Sequence, residues 1–353
     1  MLKKTVAIFI NSLNKGGAER QAILLHNYLS QHFNAYLIIY NNLNPENHQI
    51  LSDKNVIFLK GNTIPKIFQF YKFLKGNRIT HLFNFLPLNN IAGIIIGKLA
   101  GVRYLYGGIR SEKYKSKFKM IIMKLLCNYV SSGFISNSYA AYKSYTRYGF
   151  NQQKLMVIQN AIDPVSIFNC PHPKIRILSV GRFIEEKDYF TSITALNLIL
   201  KNKPELRSHI SYNIIGYGKL EDKIKRSIEL NKLDDITIFV NDGFIGESYQ
   251  NSDIFLNTSK YEGMPNVIME AMNNSLPMVA TDAGDTKYLV RDNFNGFLCP
   301  IGNAEYISEK LITLINDNNL CKQMGVNSLK IIEENFRPDK VFTAYKDLID
   351  NAK

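Results

Sequence analysis

The chain has 353 residues, 46% of them hydrophobic, and a formal charge of +13. That length and apolar content suit two globular domains of ordinary size and exclude a disordered or fibrous chain. Its four cysteines (Cys127, Cys170, Cys299 and Cys321) show no regular spacing, which excludes a disulfide scaffold and reads as free, mostly buried thiols of a reducing compartment.

Short apolar strands alternate with helical stretches along the whole chain. In the first half, strands are expected at 5–10, 35–40, 56–59, 81–85, 103–109, 133–137 and 155–159. In the second half they are expected at 176–181, 212–216, 236–240, 254–257, 277–281 and 296–299. Such alternation means βαβ units, hence parallel sheets covered by helices on both faces. The only proline cluster, Pro164 to Pro173, marks a linker between domains at 1–165 and 174–336, with a last helical segment at 338–353. The charge divides at the same place. Residues 1–168 hold 21 Lys and Arg against 5 Asp and Glu, whereas residues 169–353 hold 22 against 25. An anionic membrane surface, a pyrophosphate-bearing acceptor or nucleic acid would suit the basic half. Nucleic acid is set aside because no binding module is present. Residues 66–75 and 113–126 are basic and then apolar, a pattern of helices that lie in a membrane interface. Met1-Leu2-Lys3-Lys4 leads directly into a strand, so no signal peptide is expected. The longest apolar run, 91–102, is interrupted at Lys98, so no transmembrane helix is expected either.

The most informative segment is Ser259-Lys-Tyr-Glu262-Gly263-Met264-Pro265-Asn266-Val-Ile-Met-Glu270-Ala271-Met272. Pro265 marks a helix start, which leaves Glu262 in the preceding loop and Glu270 one to two turns inside the helix. Amides at Gly263 and Met264 would then lie at a helix N-terminus, where phosphate binds readily. A diphosphate seat with a carboxylate on either side suits a nucleotide-sugar. Upstream, Gly181-Arg182 closes a buried strand and Lys187 follows five residues later, giving a guanidinium fork and a point charge for a leaving diphosphate. Gly16, Gly17, Arg110, Arg182, Glu262 and Asp282 all follow strands, and ligands of open α/β sheets bind beyond those ends. Gly216-Tyr-Gly218 lacks the third glycine of a dinucleotide fingerprint, which argues against an oxidoreductase.

The string from Glu262 to Met272 resembles the signature E-G-[FMT]-P-N-x-x-x-E-A-M of retaining glycosyltransferases of family 4, the group 1 type, which have the GT-B fold. Gly181-Arg182 with Lys187 resembles that family's G-R-x4-K, and Gly16-Gly17 its N-terminal glycine loop. Asn160-Ala-Ile-Asp163, with Phe168 after it, resembles the interdomain linker strand, and Ala280 to Gly284 and Asn295 to Leu298 resemble the last two strands. The resemblance runs from about residue 5 to about residue 350. It implies an α/β fold of two Rossmann-like, doubly wound parallel-sheet domains facing a central cleft, with the final helix, 339–351, crossing back to the first domain. It implies that Arg182 and Lys187 contact the donor diphosphate, Glu262 the donor-sugar hydroxyls and Glu270 the ribose. Gly16, Gly17, Gly263, Met264, Pro265 and Asn266 would line the donor. Two stretches depart from the family pattern. Where many members carry a histidine, this chain has Tyr106-Gly-Gly-Ile-Arg110-Ser-Glu112. Arg110 either takes over a phosphate or acceptor contact or pairs with Glu112. After Phe239 the chain reads Val240-Asn-Asp-Gly243-Phe244 instead of the usual glycine beside the base.

The expected activity is transfer, with retention, of a hexose or N-acetylhexosamine from a nucleotide-diphosphate sugar. The expected acceptor is a polyprenyl-pyrophosphate-linked glycan precursor of bacterial surface polysaccharide (O-antigen, capsule or exopolysaccharide). The protein is expected in the cytoplasm, peripheral on the inner face of the membrane. No Asp-x-Asp motif occurs and the six histidines are scattered, so no metal cofactor is expected. Rival readings are a soluble GT-B enzyme on a small acceptor, a nucleotide-sugar epimerase, and a catalytically silent partner subunit.

Overall fold

The computed structural model describes residues 4–13, 16–41, 55–111, 116–165, 173–240 and 245–352. The chain begins with β1 (Thr5–Ile10), α1 (Gly17–His32), β2 (Asn34–Ile39), β3 (Val56–Phe58), α2 (Thr63–Gly76), β4 (His81–Asn84) and α3 (Pro87–Leu99). It continues with β5 (Tyr104–Ile109), α4 (Lys117–Leu125), β6 (Gly133–Ser136), α5 (Tyr139–Arg147) and β7 (Leu155–Val157). The second half contains β8 (Ile175–Val180), α6 (Tyr189–Asn202), β9 (Ile210–Ile215), α7 (Glu221–Leu230), β10 (Thr237–Val240), α8 (Ile245–Gln250), β11 (Ile254–Asn257) and α9 (Asn266–Asn273). It ends with β12 (Met278–Thr281), α10 (Thr286–Leu289), β13 (Gly296–Cys299), α11 (Ala304–Asn316), α12 (Asn318–Asn335), α13 (Pro338–Val341) and α14 (Thr343–Asp350). Each of the thirteen strands expected from the sequence forms, with ends within two residues of the expected ones.

Two compact units result: Met1–Asp163 with Phe336–Lys353, and Pro164–Asn335. In the first, seven parallel strands run in the order β3-β2-β1-β4-β5-β6-β7. In the second, six run in the order β10-β9-β8-β11-β12-β13. Every pairing is parallel, and strands such as Val6–Ile10 and Ile254–Asn257 are buried along their whole length, as a sheet covered on both faces demands. Each order reverses once, between β1 and β4 and between β8 and β11. The loops leaving those neighbouring strands diverge, which opens a crevice at each carboxyl edge.

The two faces of the first sheet have distinct cores. Val6, Ile8, Leu37, Phe83 and Ile135 pack against α1 and against Phe342, Tyr345 and Ile349 of the last helical segment. Ala7, Phe9, Leu82, Leu105 and Phe134 pack against α2, α3, α4 and α5. Helix α3 lies close on the sheet because its inward face is glycine. A Cβ at Gly97 would stand 2.6 Å from Leu105, and one at Gly93 would strike the Asn84 side chain. Asn90 of α3 completes the seam, donating to Gly108 O at 2.7 Å and accepting from Gly108 N at 2.8 Å.

The stretch from Asn160 to Asp163, expected as a strand, is not one. Its polar groups are satisfied by α1 and by the bend after α12 instead. Gln21 of α1 donates to Ala161 O at 2.7 Å and accepts from Ala161 N at 2.8 Å, and Ile162 N donates to Phe336 O. Phe168 and Cys170 lie outside the described residues, as does the 241–244 segment. Among the described residues, no helix is long and apolar enough to cross a membrane.

Candidate functional site

The order of the second sheet sets β8 beside β11, and so brings together two loops some 75 residues apart in sequence. Several cross-links bind them. Lys260 N donates to Glu186 O at 2.8 Å, Thr258 Oγ1 donates to Asp188 O at 2.8 Å, and Lys187 Nζ meets Glu262 Oε1 at 2.5 Å. Ser259 Oγ donates to the same Glu262 oxygen at 2.7 Å. Both members of the ion pair are largely buried, with side chains 16% and 9% exposed. A charge-assisted contact in so dry a place is directional and strong. The sequence reading gave Lys187 and Glu262 separate partners; the structure joins them, so an anion placed on Lys187 shares that ammonium with Glu262. Asp188 anchors the loop from below: it is buried, holds a left-handed φ of 48°, and accepts from Thr191 Oγ1 at 2.7 Å.

Arg182, in contrast, is exposed and makes no ion pair among the described residues. Its backbone is fixed by its neighbours. Gly181 O accepts from Tyr189 OH at 2.9 Å, Gly181 N donates to Ile215 O, and Phe183 N donates to Tyr217 O. A Cβ at Gly216 would stand 2.0 Å from Gly181 O, and one at Gly218 would stand 2.6 Å from Phe183 O. The Gly-Tyr-Gly of the β9–α7 loop is thus a close backbone seat for the Arg182 loop. Glycines spaced two apart after a strand were the available signal, and their use as a seat cannot be seen without the sheet order.

Helix α9 begins at Asn266, one residue later than a Pro265 start would give, with extended Pro265 in the capping position. Ile268, Met269, Ala271 and Met272 bury its inner face, and Met264 and Pro265 are buried ahead of it. Glu270 stands one turn in and accepts from the buried Tyr249 OH at 2.9 Å. The loop ahead of the helix is held by the next strand's turn: Asp285 N donates to Gly263 O at 3.1 Å. Gly284 adopts a left-handed φ of 58°, and a Cβ there would stand 1.8 Å from Glu262 O. Only glycine meets both conditions.

Gly16, Gly17 and Arg110 belong to the first unit. Extended Gly16 caps α1, the first helix after β1, and Gly17 opens it, with burial pushing the carboxyl of Glu19 in the first turn above its ordinary range. Arg110 follows β5. Its guanidinium lies 4.2 Å from the Phe85 ring centre and donates from Nη1 to Asn160 Oδ1 at 3.3 Å and from Nη2 to Tyr345 OH at 3.4 Å. Its Nε is buried without a partner, and no carboxylate pairs with it among the described residues. Phe83, Tyr106, Gly108, Ile135 and Tyr345 complete a narrow recess around it. Glu112 lies outside the described residues. Tyr345 and Asn160 carried no sequence signal as partners of Arg110, because 235 and 50 residues separate them from it. Among the described residues, no group of His, Cys, Asp and Glu stands ready to hold a metal ion.

Residues 166–330 match the family model described as Glycosyl transferases group 1. The chain is 33% identical over 181 residues to the amylovoran biosynthesis glycosyltransferase AmsK of Erwinia amylovora, an alignment covering 47% of this chain and 43% of the relative. It is 26% identical over 180 residues to the UDP-Gal:alpha-D-GlcNAc-diphosphoundecaprenol alpha-1,3-galactosyltransferase of Escherichia coli, covering 49% and 45%. The chain thus spans less than half the length of either relative. Among solved structures it is similar to Anabaena Alr3699/HepE in complex with UDP-glucose, with a TM-score of 0.84 at 18% identity over 99% of this chain and all of that one. The fold is the GT-B fold of glycosyltransferases, and the match to the group 1 glycosyltransferase model falls within the second unit.

Proposed function

We propose that the chain is a retaining glycosyltransferase of family 4. It moves a hexose or N-acetylhexosamine from a nucleotide-diphosphate sugar to a polyprenyl-pyrophosphate-linked glycan precursor of bacterial surface polysaccharide. The observation that carries this reading is the joining of the Gly181–Asp188 and Thr258–Asn266 loops at the carboxyl edge of β8 and β11. The similarity of Alr3699/HepE, solved with UDP-glucose, supports a nucleotide-sugar donor. A relative whose name gives a diphosphoundecaprenol acceptor supports the lipid-linked one.

In this reading the donor diphosphate lies over the start of α9. The exposed Arg182 fork and the Lys187 ammonium neutralise charge on the leaving group as the anomeric bond breaks, the largest contribution such a site makes. Glu262 orients the sugar hydroxyls while holding Lys187 in place, and Glu270, fixed by Tyr249, takes the ribose. The acceptor hydroxyl attacks from the face the diphosphate leaves, and a departing phosphate oxygen accepts its proton. Arg110 takes an acceptor or phosphate anion in the first unit. The protein works in the cytoplasm, peripheral on the inner face of the membrane, and needs no metal.

A panel of UDP- and GDP-sugars, offered with and without a polyprenyl-diphosphate-linked acceptor, tests this reading. Turnover should require the acceptor, and Arg182→Ala should lower it by about 10²–10³-fold, the scale of one lost charge-stabilising contact. Normal turnover in Arg182→Ala would remove the diphosphate assignment. Transfer to water-soluble sugars alone would replace the lipid-linked acceptor with a small one.

A further inference from the structure

Helices α2, α3 and α4 lie side by side on one face of the first sheet, with α3 in the middle. Each turns its core side inward and leaves a second apolar stripe outside. On α3 the inward face is Gly93 and Gly97; the outward one is Leu88, Ile95 and Leu99, spaced seven and four apart. That spacing keeps them on one line of a helix. Leu88 is 59% and Leu99 71% exposed. Helix α2 repeats the pattern with Ile64, Ile67 and Phe68, and α4 with Phe118, Ile121 and Leu125, of which Phe118 is 72% exposed. Eleven of the 23 large apolar side chains exposed among the described residues fall between Ile64 and Val130. A water-facing surface does not gather so many into one patch without a partner.

The charges beside the stripes identify that partner. Helices α2, α3 and α4 carry seven lysines (Lys66, Lys72, Lys75, Lys98, Lys117, Lys119 and Lys124) and no acidic residue. Lys72 lies over the Phe68 ring at 4.4 Å and Lys75 over the Tyr71 ring at 5.7 Å, so these ammonium groups border the apolar stripe. Apolar side chains ringed by lysines match the boundary between anionic headgroups and acyl chains. A second copy of the same face would set lysine against lysine, which like charges oppose.

We propose that the outer face of α2, α3 and α4 docks on an anionic phospholipid surface, with Phe118, Ile121, Leu125, Ile95 and Leu99 entering the acyl boundary. This assignment rests on the membrane reading given under Proposed function and names the surface that carries it.

The test is flotation of the full chain with vesicles of phosphatidylethanolamine and phosphatidylglycerol, and with vesicles of phosphatidylcholine alone. Wild type should float with the anionic vesicles, and less so as salt rises beyond the range where screening is weak. Combined Phe118→Ser, Ile121→Ser and Leu125→Ser should lower the bound-to-free ratio by about a hundredfold, the scale of three half-exposed large side chains withheld from burial. Combined Ile95→Ser and Leu99→Ser should lower it by about tenfold. Leu230→Ser, equally exposed but in the other unit, should leave it unchanged. All three should keep the wild-type melting temperature and turnover on a short water-soluble analogue of the acceptor. If wild type floats with neither vesicle, both the membrane reading and this surface are overturned. If it floats and both helix variants float equally well, the surface alone is overturned. If wild type instead self-associates in light scattering and the helix variants do not, the occupant is a second copy and the lipid assignment is overturned.

Discussion

Gly284→Ala tests how tightly the site loop is held. The left-handed φ of 58° would cost an alanine about 1 kcal/mol. The added Cβ would also stand 1.8 Å from Glu262 O, where contacts under 3.0 Å essentially never occur. The obstacle is backbone, so the Glu262–Gly263 segment must move by roughly 1 Å, carrying the carboxylate that pairs with Lys187. Overpacking of that kind adds about 1–3 kcal/mol, and a misplacement of about 1 Å costs about 10²-fold in rate. Gly302 supplies the control. It too is left-handed, with φ of 76°, but a Cβ there meets nothing within 4 Å. Urea denaturation should show Gly302→Ala less stable by about 1 kcal/mol, and Gly284→Ala by about 2–4 kcal/mol. Nucleotide-sugar turnover should be unchanged in the first and about a hundredfold lower in the second. Equal stability loss in the two variants, with Gly284→Ala fully active, would refute the close approach.

His81 gives a pH signature. Burial, reinforced by Lys4, lowers its pKa from 6.5 to about 4, so the folded state holds it neutral. Between those values the unfolded chain binds the extra proton, and stability falls as pH drops through that window, by about 2 kcal/mol from pH 7.5 to pH 5. His81→Phe keeps the stacking on Tyr104 (4.6 Å between ring centres) and should show a correspondingly smaller acid loss in denaturant melts; an unchanged loss would place the titration elsewhere. Turnover should survive EDTA, and loss reversed by Mg²⁺ or Mn²⁺ would reveal a metal requirement.

The sequence carried the strands because parallel strands buried on both faces read as apolar runs, and glycine, proline and asparagine punctuate them. It made Arg182 and Glu262 legible as candidates because charged residues just past strand ends stand out, and Lys187 and Glu270 through their spacing from Gly181 and Glu262. It did not carry their pairing. That Lys187 meets Glu262 follows from β8 lying next to β11, a fact of strand order that no local pattern encodes. The roles of Gly216, Gly218 and Gly284 were hidden for the same reason: each glycine answers to a backbone that arrives from another loop. At Asn160–Asp163 the expected strand failed because Gln21 and Phe336 satisfy the backbone where a neighbouring strand would have.

The return of the last segment to the first unit sets an order on synthesis. Phe342, Tyr345 and Ile349 are core residues of a sheet whose strands were all made by residue 157. Until they emerge, Ile23, Leu25 and Phe83 face an unfilled side, and Arg110 lacks its tyrosine. The second unit, Pro164–Asn335, is contiguous and has left the ribosome by then. The half made first is therefore the half completed last, and the unit that carries Glu262 can be folded while the unit that carries Arg110 is still open along one face.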